Sequence, residues 1–415
     1  MHPAISRLLC CLALCAATLA ATAQAQEFTK PKVRAVTAFV RLERSTHAQQ
    51  INDALSVLQR ARQDFMQQGY EVQTLRIVTQ PLGELVAGLS QADALTFLKT
   101  LDDLSAKQDF ILNVGPAMLR DGDDPQVMRL MERALATLPH LMGNAIIAGE
   151  DGIHWKVIHE TAALVRYVAQ HSPHGQGNFH FTATAMLQPY APFYPGAYHT
   201  GTGKRIAFGL QSANVVQEVF ERTHDDFARS VSELTRQLSV HAQAAEKIGQ
   251  EVGAATNWTF MGVDPTPAPL GDVSIGAAIE SYTGANFGSS GTMTAALIIT
   301  TAVKAVAVKQ VGFSGLMVPV MEDKRLAQRW AEGTYTTDAL LAYSAVCGTG
   351  LDTVPYPGDI SEEQLARILG DVASLAFKWH KPLSARLQPV PGKKAGEQTD
   401  FNDQFLFNTR LHALP

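Results

Sequence analysis

Two carboxylates on one proline-stiffened loop are the first candidates for chemistry. The segment Asp264-Pro-Thr-Pro-Ala-Pro-Leu-Gly-Asp272 directly follows a strand-like run. Its prolines restrict the backbone, and residues just beyond the carboxyl ends of strands line ligand crevices in α/β folds. Asp264 and Asp272 held there suit acid–base work or the gripping of a cation; Asp272 is equally placed to cap a helix beginning near Ser274. A second candidate is Gly288-Ser289-Ser290-Gly291-Thr292-Met293-Thr294, which runs into an apolar helical stretch. A glycine turn at a helix start presents free N–H groups to an anion, and Ser289, Ser290, Thr292 and Thr294 add hydroxyls. No lysine follows the last glycine, so this is not a Walker loop, and ordinary turn chemistry accounts for the same residues. Gly312-Phe-Ser314-Gly315 and Cys347-Gly-Thr-Gly350 repeat the small-residue theme and add Ser314 and Cys347 as ligand-binding candidates.

The loop Tyr190-Ala-Pro-Phe-Tyr-Pro-Gly-Ala-Tyr-His199 is rich in aromatics and prolines. It suits the wall of an apolar pocket with His199 as its titratable group, although a lone loop histidine is more often simply hydrogen-bonded. Asn113 and Asn214 each close a strand-like run. Metal signatures are weak: HExxH, paired Cys-x-x-Cys and calcium-loop patterns are missing, and His171-Ser-Pro-His174 reads as a linker. The G-x-S-x-G elbow of serine hydrolases is missing too. No resident cofactor or metal is expected; the carboxylate loop leaves a divalent cation open.

These residues must be held by an α/β framework. Strand-like runs at 33–40, 71–79, 110–114, 145–148, 179–186, 205–210, 258–263, 311–320 and 383–387 alternate with helical stripes. One of these stripes runs unbroken from Asn214 to about Ala254, a surface that would suit a homo-oligomer. Such alternation predicts a mainly parallel sheet, and by frequency an eight-stranded barrel.

The chain opens with Arg7, an apolar stretch from Leu8 to about Ala20, and small residues at Ala21-Thr-Ala-Gln-Ala25. This is the layout of a cleavable export signal, too short in its apolar part to span a bilayer. Cleavage after Ala25 would remove three of the four cysteines, leaving Cys347 and no internal disulfide. The expected location is periplasmic or secreted. A formal net charge of −5 and the lack of a basic run argue against nucleic acid as a partner. No later run is long and apolar enough to predict a membrane span.

Read in order, Val33-Arg-Ala-Val-Thr, Val72-Gln-Thr-Leu-Arg76, Phe193-Tyr-Pro-Gly-Ala-Tyr-His199 and Gly209-Leu-Gln-Ser-Ala-Asn214 form one series. It continues through Asp264–Asp272, Gly291-Thr-Met-Thr-Ala-Ala, Gly312-Phe-Ser-Gly-Leu-Met-Val-Pro-Val-Met-Glu-Asp323 and Cys347-Gly-Thr-Gly-Leu-Asp352. The series resembles domain-of-unknown-function family 711 over nearly the whole chain. The resemblance implies a single α/β domain after residue 25: a closed barrel of about ten strands surrounded by helices, like that of pyruvate formate-lyase and other glycyl radical enzymes. It displaces the eight-stranded expectation. Radical chemistry does not carry over. Where such enzymes have an Arg-Val-Ser/Thr-Gly-Tyr-type loop, this chain reads Leu383-Ser-Ala-Arg386-Leu-Gln388-Pro389, with Gln388 and Pro389 in place of the hydroxyl residue and the glycine. The resulting expectation is a cofactor-independent lyase, isomerase or hydrolase acting on a small anionic metabolite. The alternative is a binding protein that sequesters such a solute outside the cytoplasm.

Overall fold

The computed structural model describes residues 28–414 except 194, 225 and 347. The expected export segment and Cys347 therefore lie outside the described residues. Apolar and β-branched runs form β1 (Lys32–Phe39), β2 (Val72–Val78), β3 (Ile111–Asn113), β4 (Leu141–Gly149) with its short hairpin return β5 (Gly152–Ile153), and β6 (Phe181–Ala185). Strands β1, β2, β3, β4 and β6 are parallel neighbours in that order. β7 (Arg205–Gln211) pairs antiparallel with β1 and carries β8 (Thr259–Asp264) parallel to itself. β9 (Gly350–Pro357) lies parallel to β10 (Leu383–Val390), which pairs antiparallel with β6. The result is a mixed α/β fold with one ten-stranded sheet surrounded by helices.

Side chains alternate across a strand, and here the two faces differ in chemistry. Leu75, Ile77, Phe181, Phe208, Leu351 and Leu387 point to one face. There they share the main core with helices such as α1 (His47–Gln67), α2 (Leu82–Leu85), α3 (Gln91–Gln108), α4 (Pro125–Thr137) and α5 (Trp155–His171). The opposite, inner face is covered by irregular chain, which packs there in two small clusters, Phe39–Val78–Ala197–Ala207 and Leu187–Ala191–Phe193–Ala268–Phe313. Irregular backbone has no ladder of its own, so its buried carbonyls need side-chain donors. The inner face supplies them. Thr37 Oγ1 donates to the Pro192 carbonyl at 3.2 Å and Arg76 Nη1 to the same oxygen at 3.3 Å. Asn144 Nδ2 donates to Pro195 O at 3.0 Å, and Asn113 Nδ2 to Ala197 O at 2.6 Å.

Three expectations need correction. The single helix expected from Asn214 is two, α6 (Ala213–Thr223) and α7 (Phe227–Thr256). The chain turns at His224, which has a φ of 21°, and Asp226 restarts the helix by accepting from Arg229 N at 3.0 Å. The turn lets α6 pack on α8 (Ile275–Thr283) while α7 packs on β8 and α9 (Thr292–Ala305). Residues 311–320 do not form a continuous strand. Isolated bridges, Gln310 to Val263 just before this segment and Pro319 to Asp352 within it, take the place of a ladder, because positive φ at Gly312 and Ser314 breaks the extended run. The unexpected strand is β9, whose Gly350, Pro355 and Pro357 read as turn residues; it is the end strand of the sheet order, where prolines cost no ladder bond. Residues 324–332, 337–346 and 362–379 are helical, forming α10, α11 and α12.

Ser274, not Asp272, caps α8, accepting from Ala277 N. Its hydroxyl donates to Asp323, a fully buried carboxylate that accepts from Ile275 N at 2.7 Å and Gly276 N at 3.2 Å. The same carboxylate caps α10 through Arg325 N and Leu326 N. One side chain thus satisfies two helix starts. Replacing Asp323 by Ala is expected to cost about 3 kcal/mol, by loss of two caps and exposure of buried donors to no partner. Asp272→Ala, at an exposed position paired only with Lys324, should change stability by less than about 0.5 kcal/mol. Urea unfolding midpoints measure both; equal losses would contradict the assignment.

Candidate functional site

Charged residues inside strands are costly unless paired, and the inner face holds several. Arg34 of β1, Arg76 of β2, Asp352 of β9 and Arg386 of β10 meet Glu322, which precedes α10, at a cavity of about 320 Å³. Arg386 Nε donates to Asp352 Oδ1 at 2.7 Å, and its Nη2 pairs with both Asp352 and Glu322. Arg34 Nη2 reaches the other oxygen of Glu322 at 3.3 Å. Arg76 is buried and donates to Thr74 Oγ1 at 3.0 Å. Apolar walls come from Phe110, Ile111, Met142, Phe179, Phe193 and Met317.

Electrostatics distinguish the two sides of this network. Burial pushes the Asp352 carboxyl above the ordinary carboxylate range, Arg386 pulls it back, and Glu322 pushes it further up. The neighbouring His180 is pushed down to about 4, chiefly by burial and then by Arg386. A buried carboxyl that retains its proton more readily, set among guanidinium groups in a cavity wall, can donate and accept protons. Guanidinium groups can orient a carboxylate. Among the described residues no cluster of His, Cys, Asp and Glu is arranged to hold a metal ion.

The residues singled out in the sequence fall elsewhere. Asp264 is fully buried and accepts four hydrogen bonds, from Thr266 N, Thr266 Oγ1, Phe313 N and Ser314 N. It holds the 312–314 turn, where a Cβ on Gly312 would collide with its carboxylate. Burial raises its carboxyl and these bonds lower it. Asp272 is exposed. Gly288, Ser289, Ser290, Gly291, Thr292 and Thr294 form the outer start of α9, where Thr292 Oγ1 accepts from Gly288 N at 3.1 Å; none lines the cavity. Ser314 Oγ donates to Val311 O at 3.1 Å. Asn113 serves the inner loop, and Asn214 Nδ2 donates to Thr29 O at 2.9 Å, tying down the start of the described chain. His199 is fully buried against Tyr190, and neither ring nitrogen has a hydrogen-bond partner among the described residues.

The structure therefore brings together Arg34, Arg76, Glu322, Asp352 and Arg386, none of which the sequence marks as a candidate for catalysis or binding. For three of them the signal was present in the sequence: Arg34, Arg76 and Arg386 lie inside strand-forming runs.

A larger cleft of about 760 Å³ lies by the carboxyl ends of β4 and β6. Its charges are answered locally. Asp123 accepts from Leu119 N, Asp151 pairs with His154, and Glu84 pairs with Arg41.

Fold and site together define a mixed α/β protein whose helix-covered sheet carries a charge-lined cavity on its inner face. The chain belongs to the family described as Uncharacterised ACR (DUF711), whose profile matches residues 25–402. It is 32% identical over 349 residues to a UPF0210 protein of Pyrobaculum aerophilum, covering 80% of this chain and 76% of that one. A UPF0210 protein of Methanopyrus kandleri is 29% identical, covering 80% and 77% of the two chains. One of Oenococcus oeni is 27% identical, covering 87% and 83%. The relatives thus include archaeal and bacterial proteins.

Burial pushes His199 down to about 4. A histidine depressed in the fold contributes stability above its unfolded value near 6.5 and loses it as the pH falls toward 4. His199→Phe should therefore be at least as stable as the parent at pH 8, since no hydrogen bond is lost. Its stability should also fall less between pH 6.5 and pH 4. Urea unfolding at stepped pH measures this; an unchanged acid slope would contradict a buried neutral imidazole.

Proposed function

We propose that this protein is an acid–base enzyme that takes a small organic acid into the cavity between β1–β2 and β9–β10. Arg34, Arg76 and Arg386 orient the ligand's carboxylate, and Asp352 moves the proton. The observation that carries this reading is Asp352: a buried carboxyl in the cavity wall, raised by burial and held in one orientation by Arg386. Proton transfer of this kind serves lyase, isomerase or hydrolase chemistry, and needs nothing beyond the side chains present. The glycyl radical route forms no part of it, since Gln388 and Pro389 occupy the relevant positions of β10.

The reading extends to architecture and address. Residues 309–320 close the sheet into a barrel in this proposal, supported by bridges to β8 at one end and to β9 at the other. Export after cleavage near Ala25 would place the enzyme in the periplasm or outside the cell; it rests on the charge, apolar stretch and small residues of the first 25 positions. Among the described residues no helix is long and apolar enough to cross a membrane.

Solvent exchange tests the chemistry without knowledge of the product. The protein incubated in heavy water with a panel of small carboxylic acids should catalyse deuterium incorporation beside the carboxylate, read by NMR. Asp352→Asn should lower that rate by at least about 100-fold while ligands still raise the melting temperature. Binding without exchange in the wild type would make the protein a passive solute binder, and unimpaired exchange in Asp352→Asn would remove Asp352 from the mechanism.

A further inference from the structure

The pairing of β9 with β10 slips at the site. Ala385 pairs with Leu351 and Leu387 with Val354, so Arg386 alone stands opposite two residues, Asp352 and Thr353. This is a β-bulge, one extra residue in β9. Its effect on side-chain direction is visible in the core. Leu351, Val354, Ala385 and Leu387 all pack in the main core. Residues three apart in a regular strand face opposite sides. The extra residue lets Leu351 and Val354 share the core face while Asp352 faces the cavity. Thr353 carries the distortion. It is fully buried and has a φ of 47°, a left-handed conformation that β-branched residues rarely take.

Thr353 also reaches out of its strand. Its Oγ1 accepts from Met321 N at 3.2 Å, and beside it Val320 N donates to the Asp352 carbonyl at 2.9 Å. Two consecutive residues of β9 are thus tied to the two residues that precede Glu322. Arg386 lies between the acids so placed: it donates to Asp352 through Nε at 2.7 Å and pairs with Glu322 through Nη2.

We propose that Thr353 is a positioning residue for the acid–base site: its left-handed backbone turns the Asp352 carboxyl onto Arg386, and its hydroxyl fixes Met321 so that Glu322 meets the same guanidinium. The proposal rests on the reading of Asp352 as the proton-transfer group and adds what sets its geometry. A glycine would take this backbone conformation freely. It would also leave the N–H of Met321, a fully buried residue, without an acceptor. The hydroxyl therefore accounts for a residue type that the backbone alone disfavours. Strain of this kind persists where the surrounding structure holds it, and it collects at active sites.

Carbon-13 NMR of the full chain, labelled at its aspartate carboxyls, tests the assignment; loss of one signal in Asp352→Asn identifies Asp352. Thr353→Val keeps the shape and removes the acceptor, whereas Thr353→Ser keeps the acceptor and removes the β-branch. Glu322 helps to hold the Asp352 carboxyl up. Loosening Glu322 should therefore bring the Asp352 titration midpoint down toward the ordinary carboxylate range in Thr353→Val, and Thr353→Ser should keep the wild-type midpoint. Deuterium exchange, measured as for Asp352→Asn, should fall at least about tenfold in Thr353→Val and stay within a few-fold in Thr353→Ser. An unmoved midpoint in Thr353→Val would overturn the proposal whatever the exchange rate. Equal impairment of Thr353→Val and Thr353→Ser would overturn it too, since packing and not the hydroxyl would then be at work. A lowered midpoint in Thr353→Val beside a wild type that exchanges no deuterium would uphold the positioning role and remove proton transfer from Asp352. Should Thr353→Val fail to fold, Thr353→Ala, which also lacks the acceptor, is compared with Thr353→Ser by the same two measurements.

Discussion

The fold depends on how buried carbonyls are satisfied beneath the sheet. Residues 190–193 and 195–199 cross the inner face without forming a strand, so their buried oxygens have no sheet ladder to bond. Thr37, Arg76, Asn113 and Asn144 donate to three of those carbonyls. The need for donors makes the inner face polar while the other face stays aliphatic and packs on helices. Arg76 belongs to two structures at once: it holds Pro192 and lines the cavity. The scaffold's internal hydrogen bonding and the candidate site therefore share a side chain.

Burying charge in this interior is expensive, and good pairing offsets the cost only in part. The cluster of Arg34, Glu322, Arg386 and Asp352 has that pairing, with Glu322 accepting from two arginines and Arg386 reaching two acids. Well-packed apolar residues could fill the same volume with equal or greater stability, so stability does not explain why the cluster is ionic. Placement beside a cavity, with one carboxyl raised by burial, points to binding and proton transfer instead. Asp323 provides the contrast. It is just as buried, but its acceptor capacity is used on the starts of two helices, and it does not line this cavity.

Much of the element pattern was legible because strand and helix periodicities are local. β1, β2 and β7 fall within a residue or two of the runs that predicted them. What failed had a tertiary cause. The break at His224 follows from α6 and α7 packing on different partners, and the strand nature of β9 from its place at the end of the sheet order, which tolerates Pro355 and Pro357. Site residues were harder still. Glycine, serine and aspartate in loops draw notice as chemistry-bearing types, yet Asp264 and the Gly288–Thr294 segment are occupied with turns and a helix start. Arg34, Arg76 and Arg386 sit in strands that the sequence shows, which reveals their cost but not their mutual distances, and Asp352 sits in the strand that it does not show.

The rule that ligands gather beyond the carboxyl ends of strands pointed to the loop after β8, and that loop does reach the cavity, though through Pro269 and Leu270 and not through its aspartates. The reason lies in the two directions of the sheet. β7 and β8 run opposite to β1, and β9 and β10 opposite to β6. The end at which β8 finishes is therefore the end at which β1 to β4 begin, and Arg34, Thr74, Ile111 and Met142 stand at or near those beginnings. In a purely parallel sheet the loop after β8 would meet only other loops. Here it meets the starts of strands, so fixed backbone positions supply the charges and the loops supply the apolar cover. A site built in that way holds its guanidinium groups on the most rigid part of the molecule.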